Sequence, residues 1–110
     1  MPLTAGSPAD VDVFHAVADV NRRRLIDALR AGERPVGDLV DEVGLSYSAV
    51  SQHLKILHRA GLVQRRADGL QRIYRLDAAP LHDVHRWTEQ YRTFWTSRLA
   101  RLHRYVGDQK

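Results

Sequence analysis

The residues from Leu45 to Val63, LSYSAVSQHLKILHRAGLV, constrain the fold more than any other part of the chain. Ser46 can accept a hydrogen bond from an unpaired amide at a helix start, and Gly61 suits the left-handed conformation that ends one. A helix of about four turns is bracketed between them. Val50, Leu54 and Leu57 recur at helical spacing and require a core. Tyr47, Ser48, Ser51, Gln52 and Lys55 then lie elsewhere on the cylinder and offer hydrogen-bonding groups outward.

A shorter helix, about Val36 to Val43, stops at Gly44, and only Gly44 and Leu45 plus the Ser46 cap separate it from the next. Two helices on so short a connection, the second carrying polar residues at its start, make a helix-turn-helix, whose second helix enters a DNA major groove. Leu62 to Ala67 and Leu70 to Leu76 are strand-like, and Asp68-Gly69 between them is a favoured two-residue hairpin turn. A basic hairpin in that place is a wing. Its arms carry Arg65, Arg66 and Arg72, with Gln71 beside the tip, long enough to reach a DNA backbone or minor groove. Tyr74 and Leu76 alternate onto the face opposite Ile73 and Arg75 and are expected on the helical core.

Upstream, Ser7, Pro8 and Asp10 make a capping-box start for a first helix with Val11, Phe14 and Val17 as its apolar stripe. Asp19 can cap a second, Asn21 to Ala31, with Leu25, Ile26 and Leu29 inward and Gly32 at its end. Downstream, one long helix is expected from Pro80 to Val106, with Gly107 as its stop. Leu81, Val84, Trp87, Tyr91, Phe94, Trp95, Leu99, Leu102, Tyr105 and Val106 give it an apolar stripe wider than the preceding elements can cover. Large aromatic anchors are typical of the centre of an interface, so the excess points to a partner chain. The expected fold is mostly α with a small β-hairpin wing, about five helices and two strands in the order α-α-α-α-β-β-α.

At 110 residues the chain is read as one winged helix-turn-helix domain. Residues 1–7 are expected to be flexible, 36–60 form the helix-turn-helix and 62–76 the wing, and 9–32 and 80–106 supply dimerisation and support. The absence of cysteine excludes disulfide frameworks, cysteine-ligated zinc fingers and thiol switches. With no membrane-length apolar run and no signal-peptide pattern in MPLTAGSPAD, a soluble cytoplasmic protein is expected. The net charge of +4 favours an anionic partner, and its distribution says more than its sum. Ser46 to Leu76 holds six basic residues (Lys55, Arg59, Arg65, Arg66, Arg72, Arg75) against Asp68 alone, whereas four acids outweigh Arg34 between Glu33 and Leu45. Positive field is concentrated where phosphate neutralisation is useful.

From Phe14 to the end of the final helix the chain resembles the ArsR/SmtB family of winged helix-turn-helix transcriptional repressors. The resemblance is carried by DVNRRRLIDAL, by ALRAGERPVGDLVDEVGLSYSAVSQHLKILHRAGLVQRR and by the wing DGLQRIYRL. Its most specific element is the serine, serine, His-Leu pattern at Ser46, Ser51, His53 and Leu54. The resemblance implies a homodimer with interface residues Val11, Phe14 and Val17 from the first helix and Val84, Trp87, Tyr91, Phe94, Trp95 and Leu102 from the last. Two reading helices would enter successive major grooves of a pseudo-palindromic operator, about 34 Å apart. Carried over by position, the DNA contacts fall on Tyr47, Ser48, Ser51 and Gln52, with Arg66, Gln71 and Arg72 from the wing. Lys55 is expected on a phosphate. Gln52 can pair with adenine, Tyr47 stands where the family often has glutamine, and the His53 counterpart usually supports the helix.

Many members of that family sense metals. The third-helix Cys-Val-Cys run falls here on Pro35, Val36 and Gly37, which cannot ligate. The last-helix site has Asp83 and His85, but its second half falls on Thr96 and Leu99, leaving half a ligand set. The aromatic WTEQYRTFW looks most like members without a metal site, including the autorepressor branch. No metal and no cofactor is therefore expected, the alternative being a metal-responsive repressor using last-helix ligands such as His82, His85 and Glu89. An enzyme is not expected either, because no Gly-x-Ser-x-Gly elbow, phosphate loop or carboxylate pair appears in a credible setting, and Asp38, Asp41 and Glu42 read as a solvated helix face. A winged-helix module that binds only proteins would carry an uncharged or acidic reading helix and wing, against the local balance of +5 found here.

Overall fold

The Ser46 to Gly61 bracket forms as the residues dictate in the computed structural model, which describes residues 11–108. Helix α1 spans Val13–Val17, α2 Val20–Leu29, α3 Val36–Val43, α4 Tyr47–Arg59, α5 Leu81–Glu89 and α6 Arg92–Asp108. Strands β1 (Arg34–Pro35), β2 (Val63–Asp68) and β3 (Gln71–Leu76) make one antiparallel sheet in the order β1-β3-β2. Leu25, Leu29, Leu39, Val50, Leu54, Leu57, Leu62 and Val63 are fully buried at the centre of the hydrophobic core. Each such side chain contributes about 1.5–3 kcal/mol by leaving water.

Local chemistry sets the boundaries. Gly44 sits in the left-handed region at φ 72°, ending α3 and letting Leu45 pack against the core before the Ser46 hydroxyl caps α4 by accepting from the Ala49 amide at 3.1 Å. At the far end of α4, Gly61 has φ 78°, its N–H donates to His58 O and the N–H of Leu62 donates to Leu57 O. This is a Schellman motif, and the two apolar positions that accompany it, Leu57 and Leu62, are both fully buried in the core.

Five expectations are corrected. The first helix starts at an Asp12 cap, whose carboxylate accepts from the Phe14 amide at 2.7 Å; the Ser7–Pro8–Asp10 start lies outside the described residues, as does the expected flexible segment 1–7. Val13 and Ala16 face inward, Val11 and Val17 are half-buried, and Phe14 is exposed. The second helix runs from Val20 to Leu29, a residue earlier at its start and two earlier at its end. A third strand exists: Arg34 and Pro35 pair with Tyr74 and Ile73, too short a run to show alternation, with proline on the edge where no donor is needed.

The hairpin turn is Gly69-Leu70, because Asp68 pairs with Gln71. Only Gly69 takes a positive φ, 63°, the pattern of a type II′ turn, whereas a turn at Asp68-Gly69 would force aspartate there too. Finally, the long C-terminal helix is two. The Tyr91 N–H turns back to Thr88 O at 2.9 Å, so a tightened turn interrupts the ladder at Gln90–Tyr91. Gly107 does not stop the second piece, which continues to Asp108. Every described side chain of α6 from Arg92 to Gly107 is exposed, and the radius of gyration is 18.1 Å against about 13 Å for a compact chain of this length.

Candidate nucleic-acid interface

Burying Val50, Leu54 and Leu57 fixes the rotation of α4, since each residue advances about 100° around its axis. Ser48, Gln52 and Lys55 are thereby turned to solvent on the side opposite the core. Tyr47 and Ser51, one turn apart on a neighbouring stripe, lean toward the wing; Tyr47 is 61% exposed and Ser51 half-buried. His53 lies on the other flank, with Nδ1 3.5 Å from the Arg22 guanidinium. An arginine only donates, so that nitrogen accepts.

The wing register sorts the arginines. Val63, Arg65 and Ala67 stand opposite Leu76, Tyr74 and Arg72 and share one face of the hairpin. Tyr74 is buried and Leu76 half-buried against the core, as alternation requires. Farther toward the tip the same face, with α4, encloses a cleft of about 200 Å³ lined by Tyr47, Ser51, Lys55, Arg65 and Arg72. Arg66 is on the other face, beside Ile73, which is itself buried. There the Arg66 Nη2 donates to Glu33 Oε1 at 2.6 Å and holds the Glu33 carboxyl below its ordinary range. Gln71 and Arg72 line a second depression with Tyr47 and the fully exposed Leu70 at the wing tip.

Two further features were not anticipated from the sequence. Arg65, one of the arginines on the wing arms, lies in the cleft, whereas the family resemblance points to Arg66. The triplet Arg22-Arg23-Arg24 reads as a basic run, yet its members bind helix ends. Arg22 is buried, with Nε donating to Ala16 O at 2.7 Å and Nη2 to His15 O at 3.0 Å. Arg23 Nη1 donates to Val17 O at 2.7 Å and Arg24 Nη2 to Val43 O at 2.9 Å. Cations at helix C-termini satisfy orphan carbonyls and complement the dipole. The helical spacing of Arg22 with Leu25, Ile26 and Leu29 was the signal for its inward position. The Arg22 amide, and then that of Asn21, hold the Asp19 carboxylate below its ordinary pKa at the start of α2.

The residues assigned to a partner form a second surface. Phe14 meets Trp87 edge-on at 5.6 Å, Trp87 meets Tyr91 at 5.8 Å and Tyr91 meets Phe94 at 6.0 Å. With Trp95 and Leu102 these side chains are exposed, while Val11, Val17 and Val84 are half-buried against the core. On α5, the His82 and His85 rings are 6.2 Å apart and His85 lies 3.9 Å from Glu89. No group of three or more histidine, aspartate or glutamate side chains converges on a common ion position among the described residues. No described helix is long and apolar enough to cross a membrane.

Residues 19–65, from the cap of α2 into β2, match the family model described as "Bacterial regulatory protein, arsR family". The chain is 38% identical over 87 residues to the HTH-type transcriptional regulator Rv2034 of Mycobacterium tuberculosis, covering 79% of this chain and 78% of that one. It is 32% identical over 76 residues to the transcriptional repressor SdpR of Bacillus subtilis, covering 69% and 84%. A crystal structure of a possible transcriptional regulator for arsenical resistance superposes with a TM-score of 0.66 at 40% identity, over 89% of this chain and 96% of that one. With a bracketed reading helix, a basic wing and these relatives, the chain belongs to the ArsR family of winged helix-turn-helix, DNA-binding transcriptional regulators.

Proposed function

We propose that this protein is a homodimeric repressor acting in the cytoplasm, where two reading helices occupy a pseudo-palindromic operator and exclude transcription. The observation that carries the reading is the outward stripe of Ser48, Gln52 and Lys55 beside a cationic cleft shared with the wing. Gln52 reads a base edge, with adenine its best match, and Ser48 takes a base or phosphate. Tyr47, Ser51 and Lys55 contact the backbone, and Gln71 and Arg72 bring the wing tip to the flanking groove. Arg66 contacts DNA only on release from Glu33, which makes it the weakest of the candidates.

The exposed aromatic ladder from Phe14 through Phe94, continued by Trp95 and Leu102, supports an interface between copies. Val11, Val17 and Val84 back it from the core side. The protein acts by occupancy rather than catalysis, and its release does not use a last-helix metal. Selection of bound sequences from random DNA, with sedimentation of the complex, tests the reading. The expected product is two half-sites about 10 base pairs apart bound by two chains. A single asymmetric site bound by one chain contradicts it.

A further inference from the structure

We infer that the cleft between α4 and the wing seats one DNA backbone phosphate in each half-site, with Arg65 as its ligand from the wing. The inference rests on the DNA-reading surface proposed above. Its first support is geometric. Arg65 stands opposite Tyr74, and Arg72 is two residues along β3 on the same face, a diagonal pair with backbone positions about 7–8 Å apart. Lys55 reaches the same space from α4. Three cations thus border a cleft of about 200 Å³.

The second support is chemical. No described carboxylate forms an ion pair with Lys55, Arg65 or Arg72. Arg66, one residue from Arg65, is held by Glu33 on the far face. Like charges gathered without a counter-ion repel, and an anion bound among them relieves that repulsion. The Ser51 and Tyr47 hydroxyls on the helix side of the cleft add neutral donors, which suits a phosphate oxygen better than a base edge. Glu33 and the register together therefore divide two adjacent arginines between structure and ligand.

The test uses the full chain and its selected operator, with Arg65→Gln and Arg66→Gln compared by fluorescence anisotropy from 50 to 200 mM salt. Losing one phosphate contact reduces the salt slope by about 0.9, which corresponds to roughly eightfold in affinity at 0.1 M salt. Arg65→Gln is expected to show both effects per half-site, and Arg66→Gln a smaller change in each. A second experiment replaces backbone phosphates singly with neutral methylphosphonate. One position per half-site should weaken binding by the parent more than by Arg65→Gln. If Arg65→Gln keeps the parent slope while Ser48→Ala with Gln52→Ala loses operator binding, the phosphate seat is wrong and the reading helix stands. If neither variant changes binding, both fail.

Discussion

Replacing Arg22 by methionine keeps most of the buried stem and removes the guanidinium that ties α1 to α2 and reaches His53 of the reading helix. Two hydrogen bonds from a charged donor are lost, at 2.7 Å to Ala16 O and 3.0 Å to His15 O, together with the 3.5 Å contact to His53. Hydrogen bonds to charged groups contribute about 1.5–3 kcal/mol each. Removing a buried cation recovers part of its desolvation cost, so the net loss is placed at about 2–4 kcal/mol. Against a total stability of about 5–15 kcal/mol this is a large fraction. At roughly 4 °C per kcal/mol for a chain of this size, melting falls by about 8–16 °C. Urea unfolding followed by far-UV circular dichroism measures it at one fixed protomer concentration, since the proposed dimer would make stability concentration-dependent. Arg22→Lys should fall between, keeping the charge but not the planar fork. A methionine variant within about 0.5 kcal/mol of the parent would refute the assignment of Arg22 as a buried clamp.

Gly44→Ala places a side chain on a backbone at φ 72° with no atom near enough to clash, so its cost is conformational, about 1–2 kcal/mol, and an unchanged urea midpoint would contradict it. Burial, and then the charge of Arg65, hold the His58 pKa below its ordinary 6.5. The unfolded chain therefore takes up a proton that the folded one refuses, and stability drops as pH falls through about 6.5. Between pH 7.5 and 5.5 the parent should lose more stability than His58→Gln, and equal losses would remove His58 as the cause. Trp95→Ala with Leu102→Ala changes only exposed side chains of α6, leaving the circular dichroism spectrum as it is. If α6 is at the interface, sedimentation should show dimer dissociation strengthened by more than about 30-fold, the scale of an interface hot spot; an unchanged constant would exclude α6.

The reading helix was legible because several local signals agreed on it. Ser46, Gly44 and Gly61 punctuate it, and Val50, Leu54 and Leu57 have no plausible environment but a core. The hairpin was legible in existence and face but not in register. Moving a two-residue turn by one residue moves each cross-strand partner by two, so every side chain keeps its face and alternation cannot discriminate. Only the positive φ, confined to Gly69, decides between them. The break at Gln90–Tyr91 carries no proline or glycine; it is a single tightened turn, Tyr91 N–H to Thr88 O, that leaves no mark in the sequence. Alternation already puts Arg65 and Arg66 on opposite faces; what the sequence could not show is that Arg66 is held by Glu33, which lies far away in the chain and close only in the fold. Arg22 was hidden by composition, because three consecutive arginines look like a surface and instead cap helix ends.

The central claim is that the outward stripe of α4 reads sequence while the wing and Lys55 supply non-specific attraction. Its most direct test is the affinity of Ser48→Ala with Gln52→Ala for the selected operator, measured against the same variant's affinity for random duplex DNA. The account predicts a loss of about 10- to 100-fold on the operator, the scale of one bidentate base contact, with random-DNA affinity and dimer state unchanged. An operator affinity equal to the parent's, or an equal loss on both DNAs, would contradict it.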